Sequence, residues 1–301
     1  MAEPTLNHQP EAAFKQSLLC KETHSISRFF LRDFGELVCY LLRVKQAAAR
    51  ANADSGHITD AQAQAIFSAC ANLQKSSDSE IFMVDVLQGG GGFAINGNIN
   101  EAILFELARF DTRTPITIKD INKSQSSADV CASALRLSLY HMCQNLERAI
   151  DELTSEIGHF VEQWGSIKTL ARTCWQDALV ISMGERFSGI VHGFSLCYQE
   201  VSDKMQNLLY LPLGTTVLGT AAGATSSYRE LVLLHLSEIL DRKILPTANA
   251  VSSAQNFPDL ALLANAIKLV AENLIRFGLD LRLLNSGPRG GLSEIALPRI
   301  M

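Results

Sequence analysis

No block of like charge stands out in this sequence: Lys and Arg number 26, Asp and Glu 31, and the formal net charge is −5. A dedicated nucleic-acid binder would show a basic face, so the charge balance argues against that class. Charged residues make up only 19% of the chain against 47% apolar, and low-complexity tracts are absent, which excludes a disordered chain. There is no Cys-x-x-Cys pair. The seven cysteines (Cys20, Cys39, Cys70, Cys131, Cys143, Cys174 and Cys197) are scattered and odd in number, which reads as single thiols in a reducing compartment rather than a disulfide framework. No His-Glu-x-x-His or other ligand spacing marks a metal site, so no metal and no cofactor are expected. The opening residues MAEPTLNHQPEAAFKQ lack a basic segment followed by an apolar one, so no signal peptide is expected. The longest uncharged stretch, Met205 to Tyr228, is broken by Pro212, Gly214, Gly219 and Gly223 and is no membrane span. The expectation is a cytoplasmic protein that engages neither nucleic acid nor membrane. No alternating run of five or more residues reads as a strand.

What the sequence does have is helical periodicity. Ile26, Phe29, Phe30 and Phe34, then Leu37, Val38, Leu41 and Leu42, recur at three- and four-residue spacings and predict helix over 26–75. Gly56 interrupts it, and Thr59 or Asp60 can cap its continuation. Gln88 to Asn100, rich in glycine and asparagine, has the composition of an irregular loop, and a short helix EAILFELARF follows. The run Gly89 to Gly92 precedes no Gly-Lys-Ser/Thr, so it reads as a turn needing positive φ rather than a phosphate cradle. From Ser124 no Gly or Pro occurs until Gly158, while Val130, Ala134, Leu137, Tyr140, Leu146, Ile150, Leu153 and Ile157 repeat along one face. That predicts a helix about 50 Å long, with Ser126 or Ser127 as its cap. Its N-terminus also offers N–H groups on which a carboxylate can dock. Further helices are predicted over 183–209, 226–241 (beginning after Ser226-Ser227) and 258–284, the last with Pro258 in its first turn. Long helices with irregular connections imply an all-α fold of the bundle type.

Five segments, in order, resemble the aspartase/fumarase superfamily: QGGGGFAINGNINE (88–101), INKSQSSAD (121–129), ARTCWQDALVISMGERFSG (171–189), LPLGTTVLGT (211–220) and SGPRGGLSEIALP (286–298). The resemblance extends over about residues 35–301, and AQNFPDLALLAN (254–265) looks more like the aspartase branch than the fumarase branch. It implies an N-terminal helical domain, here 1–121 with residues 1–25 atypical, followed by a central long-helix bundle, here 122–301. It also implies a homotetramer whose active sites each gather motifs from three subunits. The implied chemistry is reversible anti-elimination of ammonia or water from a 2-substituted succinate to give fumarate, with aspartate ammonia-lyase slightly favoured. The implied substrate-binding residues are Asn96, Lys123, Gln125, Ser126, Ser127 and Thr173. Asn98, Asn100, Glu101, Asp129, Arg172, Gln176, Asp177 and Arg289 match the motifs as structural positions.

The match is incomplete. The Ser and Thr that hold a substrate carboxylate in the family are Gly91 and Phe93 here, and the substrate-touching Asn is Ala128. Cys174 stands where His or Gln is usual; it is a weak candidate for a catalytic role, since a neutral thiol is a poor acid or base unless its pKa is depressed. The family continues into a loop carrying the serine base and then a small C-terminal domain, whereas this sequence stops at Met301. The expectation is a chain truncated before that loop, lacking part of the bundle. Two readings stay open: an aspartase/fumarase-like lyase, impaired or inactive as this chain, and a non-catalytic paralogue that serves as an oligomeric scaffold or joins a full-length relative in a mixed oligomer.

Overall fold

The apolar spacing in LVCYLLRVKQAAARAN forms helix α1 (Gly35–Asp54), which buries Val38, Leu41, Leu42, Val44, Ala47, Ala48 and Ala51. The computed structural model of the chain describes residues 26–76, 79–88, 90–109 and 115–298; the atypical segment 1–25 lies outside them. Helix α2 (Asp60–Lys75) packs on α1 through Ile66, Ala69, Cys70 and Leu73, the alanines on both faces permitting close approach. Thr59 caps α2: its hydroxyl accepts from the Gln62 amide at 3.2 Å, and Gln62 Oε1 accepts from the Thr59 amide at 2.9 Å. Such a reciprocal cap contributes about 1 kcal/mol.

The next helix departs from expectation. Helix α3 runs Phe93–Arg109, so the loop read over 88–100 is helical from Phe93 onward. Gly90, Gly91 and Gly92 do take positive φ (84°, 60° and 83°), as the glycine run implied. The asparagines behind them are poor helix formers, but Asn96, Asn98 and Asn100 are buried and bond within the protein, which outweighs propensity.

After the short turn α4 (Ile118–Ile121), helix α5 spans Ser127–Trp164, followed later by α6 (Met183–Gln206), α7 (Ser226–Leu240), α8 (Ala250–Gln255) and α9 (Pro258–Leu284). Thr225 caps α7 by accepting from the Tyr228 amide at 3.2 Å, so that helix starts at Ser226 rather than behind Ser227. The fold is mostly helical, as expected, but the expectation of no strand fails. Between α5 and α6, β1 (Lys168–Thr173) pairs antiparallel with β2 (Gln176–Ser182). The two turn residues, Cys174 and Trp175, have φ of 49° and 64°. Two-residue turns of this kind are normally built from Asn, Asp or Gly, so Cys-Trp carries no hairpin signal. A two-residue parallel pairing joins β3 (Tyr210–Leu211) to β4 (Leu245–Pro246).

The chain divides into two compact units, one comprising residues to 139 with 208–257, the other 140–207 with 258–301. Unit one is centred on α1, α2, α3, the first turns of α5 and α7, with Leu41, Ile66, Ile99, Leu137 and Tyr228 almost fully buried. Unit two holds the rest of α5, the hairpin, α6 and α9. There Phe160 lies 4.8 Å from Phe187, and Phe277 meets Phe187 at 6.3 Å and Phe194 at 6.0 Å, centroid to centroid. Among the described residues no helix is long and apolar enough to cross a membrane.

Where α3 meets α5 the glycine run has a specific purpose. A Cβ on Gly92 would lie 2.7 Å from Cys131 Sγ and 2.9 Å from its Cβ, while one on Gly91 would meet nothing within 4 Å. Both positions have positive φ, so Gly91→Ala carries only the backbone penalty, about 1 kcal/mol, and Gly92→Ala adds a steric one, for about 3 kcal/mol in total. Urea unfolding of the two variants checks this; equal losses would mean that close approach is not what the second glycine serves.

Candidate active site

The start of α5 is set by the spacing Ser126-x-x-Asp129. Ser126 Oγ accepts from the Ala128 amide at 3.3 Å, and Asp129 Oδ1 accepts from the Ser126 amide at 2.9 Å. This is a cap with a carboxylate at its third position. The other oxygen of Asp129 accepts from the Gly214 and Thr216 amides at 3.1 and 3.0 Å, tying the LGTT segment to the same helix start. Burial pushes the Asp129 carboxyl up from the usual carboxylate range, opposed by those three amides and by Lys45.

Beneath Ser127 lies a network of neutral amides around one cation. Lys45, 1% exposed, donates from Nζ to Asn122 Oδ1 at 2.9 Å. The same oxygen accepts from Asn96 Nδ2 at 3.0 Å and Asn100 Nδ2 at 3.3 Å. Asn96 Nδ2 also donates to Ser127 Oγ at 3.1 Å. The intervening loop is clamped from α1: Asn52 Nδ2 donates to the Lys123 carbonyl at 2.9 Å, and Ser124, at φ 61°, donates to Asn52 Oδ1 at 2.8 Å. Burial lowers the Lys45 ammonium to about 7, against the weaker opposing pull of Cys131, Cys70 and Asp129.

The sites expected from the sequence separate into two groups. Asn96, Asn100, Lys123, Gln125, Ser126, Ser127 and Asp129 come together in unit one. Within that group Lys123 is exposed, and Gln125 spends its Nε2 on the carbonyls of Ile121 and Lys123, at 2.9 and 3.1 Å. Asn98 donates to the Ile81 carbonyl at 3.0 Å, and Glu101 is half-buried on α3. Arg172, Thr173, Cys174, Gln176, Asp177 and Arg289 belong to unit two. Thr173, Cys174 and Trp175 are exposed at the hairpin end; Arg172 pairs with Glu294 at 2.8 Å and lies 3.6 Å from Asp177. Arg289 is exposed on a loop closed by Ser293 and Leu292 amides donating to Ser286. Of the altered positions, Gly91 and Phe93 are exposed, the phenyl ring by 64%, and Ala128 is half-buried.

Three residues of this arrangement went unremarked in the sequence: Lys45, Asn52 and Asn122. Lys45 did leave a signal, since it continues the Val38, Leu41, Leu42 stripe at helical spacing and so had to be buried. Asn122 opens the INKSQSS segment and is distinguished only by three donors converging on it.

The depressed Lys45 gives a signed pH dependence. Between about pH 7 and its ordinary 10.5 the unfolded chain holds a proton that the folded chain does not, so this residue makes stability rise with pH across that window. The difference in unfolding free energy between wild type and Lys45→Met should therefore grow in favour of wild type from about pH 7 to about pH 9.5. Urea unfolding at both values checks it, and a constant difference would overturn it.

A family model described as lyase matches residues 6–300. Aspartate ammonia-lyase of Pseudomonas aeruginosa is 31% identical over 294 residues, covering 94% of this chain and 61% of that protein. Class II fumarate hydratase of Staphylococcus haemolyticus is 30% identical over 269 residues, covering 87% and 58%. Among solved structures, the fumarate lyase:delta crystallin of Brucella melitensis bound to cobalt superimposes with a TM-score of 0.90 at 31% identity, over 95% of this chain and 64% of that one. The chain thus spans about three fifths of the length of the curated relatives it matches. With the motifs in order, the helical fold and the family match in agreement, the chain belongs to the aspartase/fumarase superfamily of lyases.

Proposed function

We propose that this chain binds a C4 dicarboxylate with one carboxylate on Ser126 and Ser127, and that it is built for the reversible anti-elimination that gives fumarate from a 2-substituted succinate, in impaired form. One observation carries the reading. Both hydroxyl oxygens accept from the protein, Ser126 Oγ from the Ala128 amide and Ser127 Oγ from Asn96, so both hydroxyl protons are left for an anion. Relatives named aspartate ammonia-lyase and class II fumarate hydratase support the substrate class. Aspartate is favoured over malate on the AQNFPDLALLAN segment.

In such an elimination a base removes a C–H beside a carboxylate, and the charge that develops on the carboxylate oxygens needs donors already in place. Ser126, Ser127 and the first-turn amides of α5 are suited to that work. Impairment rests on the substitutions. Phe93 and Gly91 offer no side-chain donor, and Ala128 removes an amide. Each lost donor costs about 10²–10³-fold in rate. Cys174, exposed at the turn, is the thiol in the usual His/Gln position and the remaining candidate for proton transfer. These same substitutions favour the second reading, a non-catalytic scaffold that assembles with itself or with a longer relative. Leu262, Leu274, Ile275 and Leu279 of α9 are exposed by 45% or more, which supports self-association into the tetramer that the family suggests. The proposed compartment is the cytoplasm.

Proton NMR of fumarate with ammonium and the purified chain in D₂O should show neither aspartate nor malate above the blank. Calorimetry should show succinate binding, with Ser127→Ala weakening it about tenfold. Appearance of product would overturn the impairment; the absence of succinate binding would overturn the carboxylate site.

A further inference from the structure

The Ser127 hydroxyl can serve a ligand only if its proton is free, and whether it is free is decided three contacts away. An amide side chain can turn its oxygen and nitrogen end for end, and its orientation follows from the partners it meets. An ammonium group only donates. With Lys45 Nζ at 2.9 Å, the atom of Asn122 that faces it must be oxygen. The atom of Asn96 that faces this oxygen at 3.0 Å must then be its NH₂. That NH₂ also lies 3.1 Å from Ser127 Oγ, so the hydroxyl accepts and its proton points elsewhere.

We propose that Lys45 is a positioning residue: through Asn122 and Asn96 it fixes the hydrogen-bond direction of Ser127, so that the hydroxyl donates to a bound carboxylate. This rests on the carboxylate reading above for the identity of the ligand, while the chain of contacts stands without it. If Lys45 loses its proton, the neutral amine can accept. Asn122 can then reverse, Asn96 must present its carbonyl oxygen, and Ser127 donates inward and is lost to the ligand. Two features fit such a reversal. Asn96 Oδ1 and Asn100 Oδ1 are buried without partners, so no other bond holds either amide in one sense, and the bond that Asn122 would give up on reversing, from its Nδ2 to the Gln125 carbonyl, is long at 3.5 Å. Burial also brings the ammonium down to about 7, within reach of ordinary pH. The ionisable groups facing Lys45 are Cys70 from α2 and Cys131 and Asp129 from α5. Burial pushes the two thiols up to about 12 and about 11, so both stay neutral across the range concerned.

The test reads the contact directly. In isotope-labelled chain at about pH 6, where the ammonium is intact, the Asn96 side-chain NH₂ should show a nuclear Overhauser contact to the Ser127 β-protons. That contact should fade in wild type with the midpoint of the Lys45 ε-carbon titration, and should be absent in Lys45→Met. Succinate affinity at the same pH should fall about tenfold or more in Lys45→Met, and fall in wild type over the same midpoint. A contact that persists in Lys45→Met, or that ignores the titration in wild type, overturns the proposal. Should Lys45→Met fail to fold, the wild-type titration alone decides. If the contact behaves as expected but succinate does not bind at any pH, the control of Ser127 by Lys45 stands and the carboxylate reading falls.

Discussion

A charge taken out of water must be given hydrogen bonds in its place, and unit one is organised around two such charges. Lys45 and Asp129 are both almost fully buried, at 1% and 2% exposure. Neither is answered mainly by an opposite charge at bonding distance. The carboxylate collects three backbone amides from two segments remote in sequence, and the ammonium collects a carboxamide oxygen shared with two further asparagines. Dipoles distribute the compensation over many small groups, each of which must hold its place for the whole to be worth its desolvation cost. The start of α5 is therefore held from below, by bonds from α1, α3 and the LGTT segment.

The helices were legible because their signals are local. Apolar spacing places α5 and, from Leu37 onward, α1, whereas 26–34, helical by the same pattern, holds only a 3₁₀ turn at Leu31–Asp33 and pairs Phe30 with Asp85; Pro258 marks the start of α9. What was not legible depended on contacts distant in the chain. Asn96, Asn98 and Asn100 look like loop residues until their amides are given partners on other elements. The hairpin was hidden by Cys174 and Trp175, which hold a turn that neither residue favours. The division of the motif residues between two compact units is likewise a property of the folded chain and has no local trace in sequence.

The matching motif positions include a buried set and an exposed one. Asn96, Asn98, Asn100 and Asp129 match the family pattern, and all are buried and bonded within the protein. Lys123, Thr173, Gln176, Asp177 and Arg289 match it too and are exposed, as are the altered Gly91, Phe93 and Cys174, while the altered Ala128 is half-buried. Substitution at an exposed position costs little stability, whereas substitution inside a buried polar network leaves donors or acceptors unpaired. The buried matches are thus held by the demand to fold.

The hairpin also decides what light can report about this molecule. The sequence has two tryptophans. Trp164 ends α5 and Trp175 sits in the hairpin turn, 45% and 78% exposed, and both belong to unit two. Indole emission therefore begins red-shifted and has little further to move on denaturation. It carries no direct signature of the lysine and asparagine network, whose loosening would pass unseen in a fluorescence melt. The helical dichroism, to which both units contribute, is the signal in which that event would register.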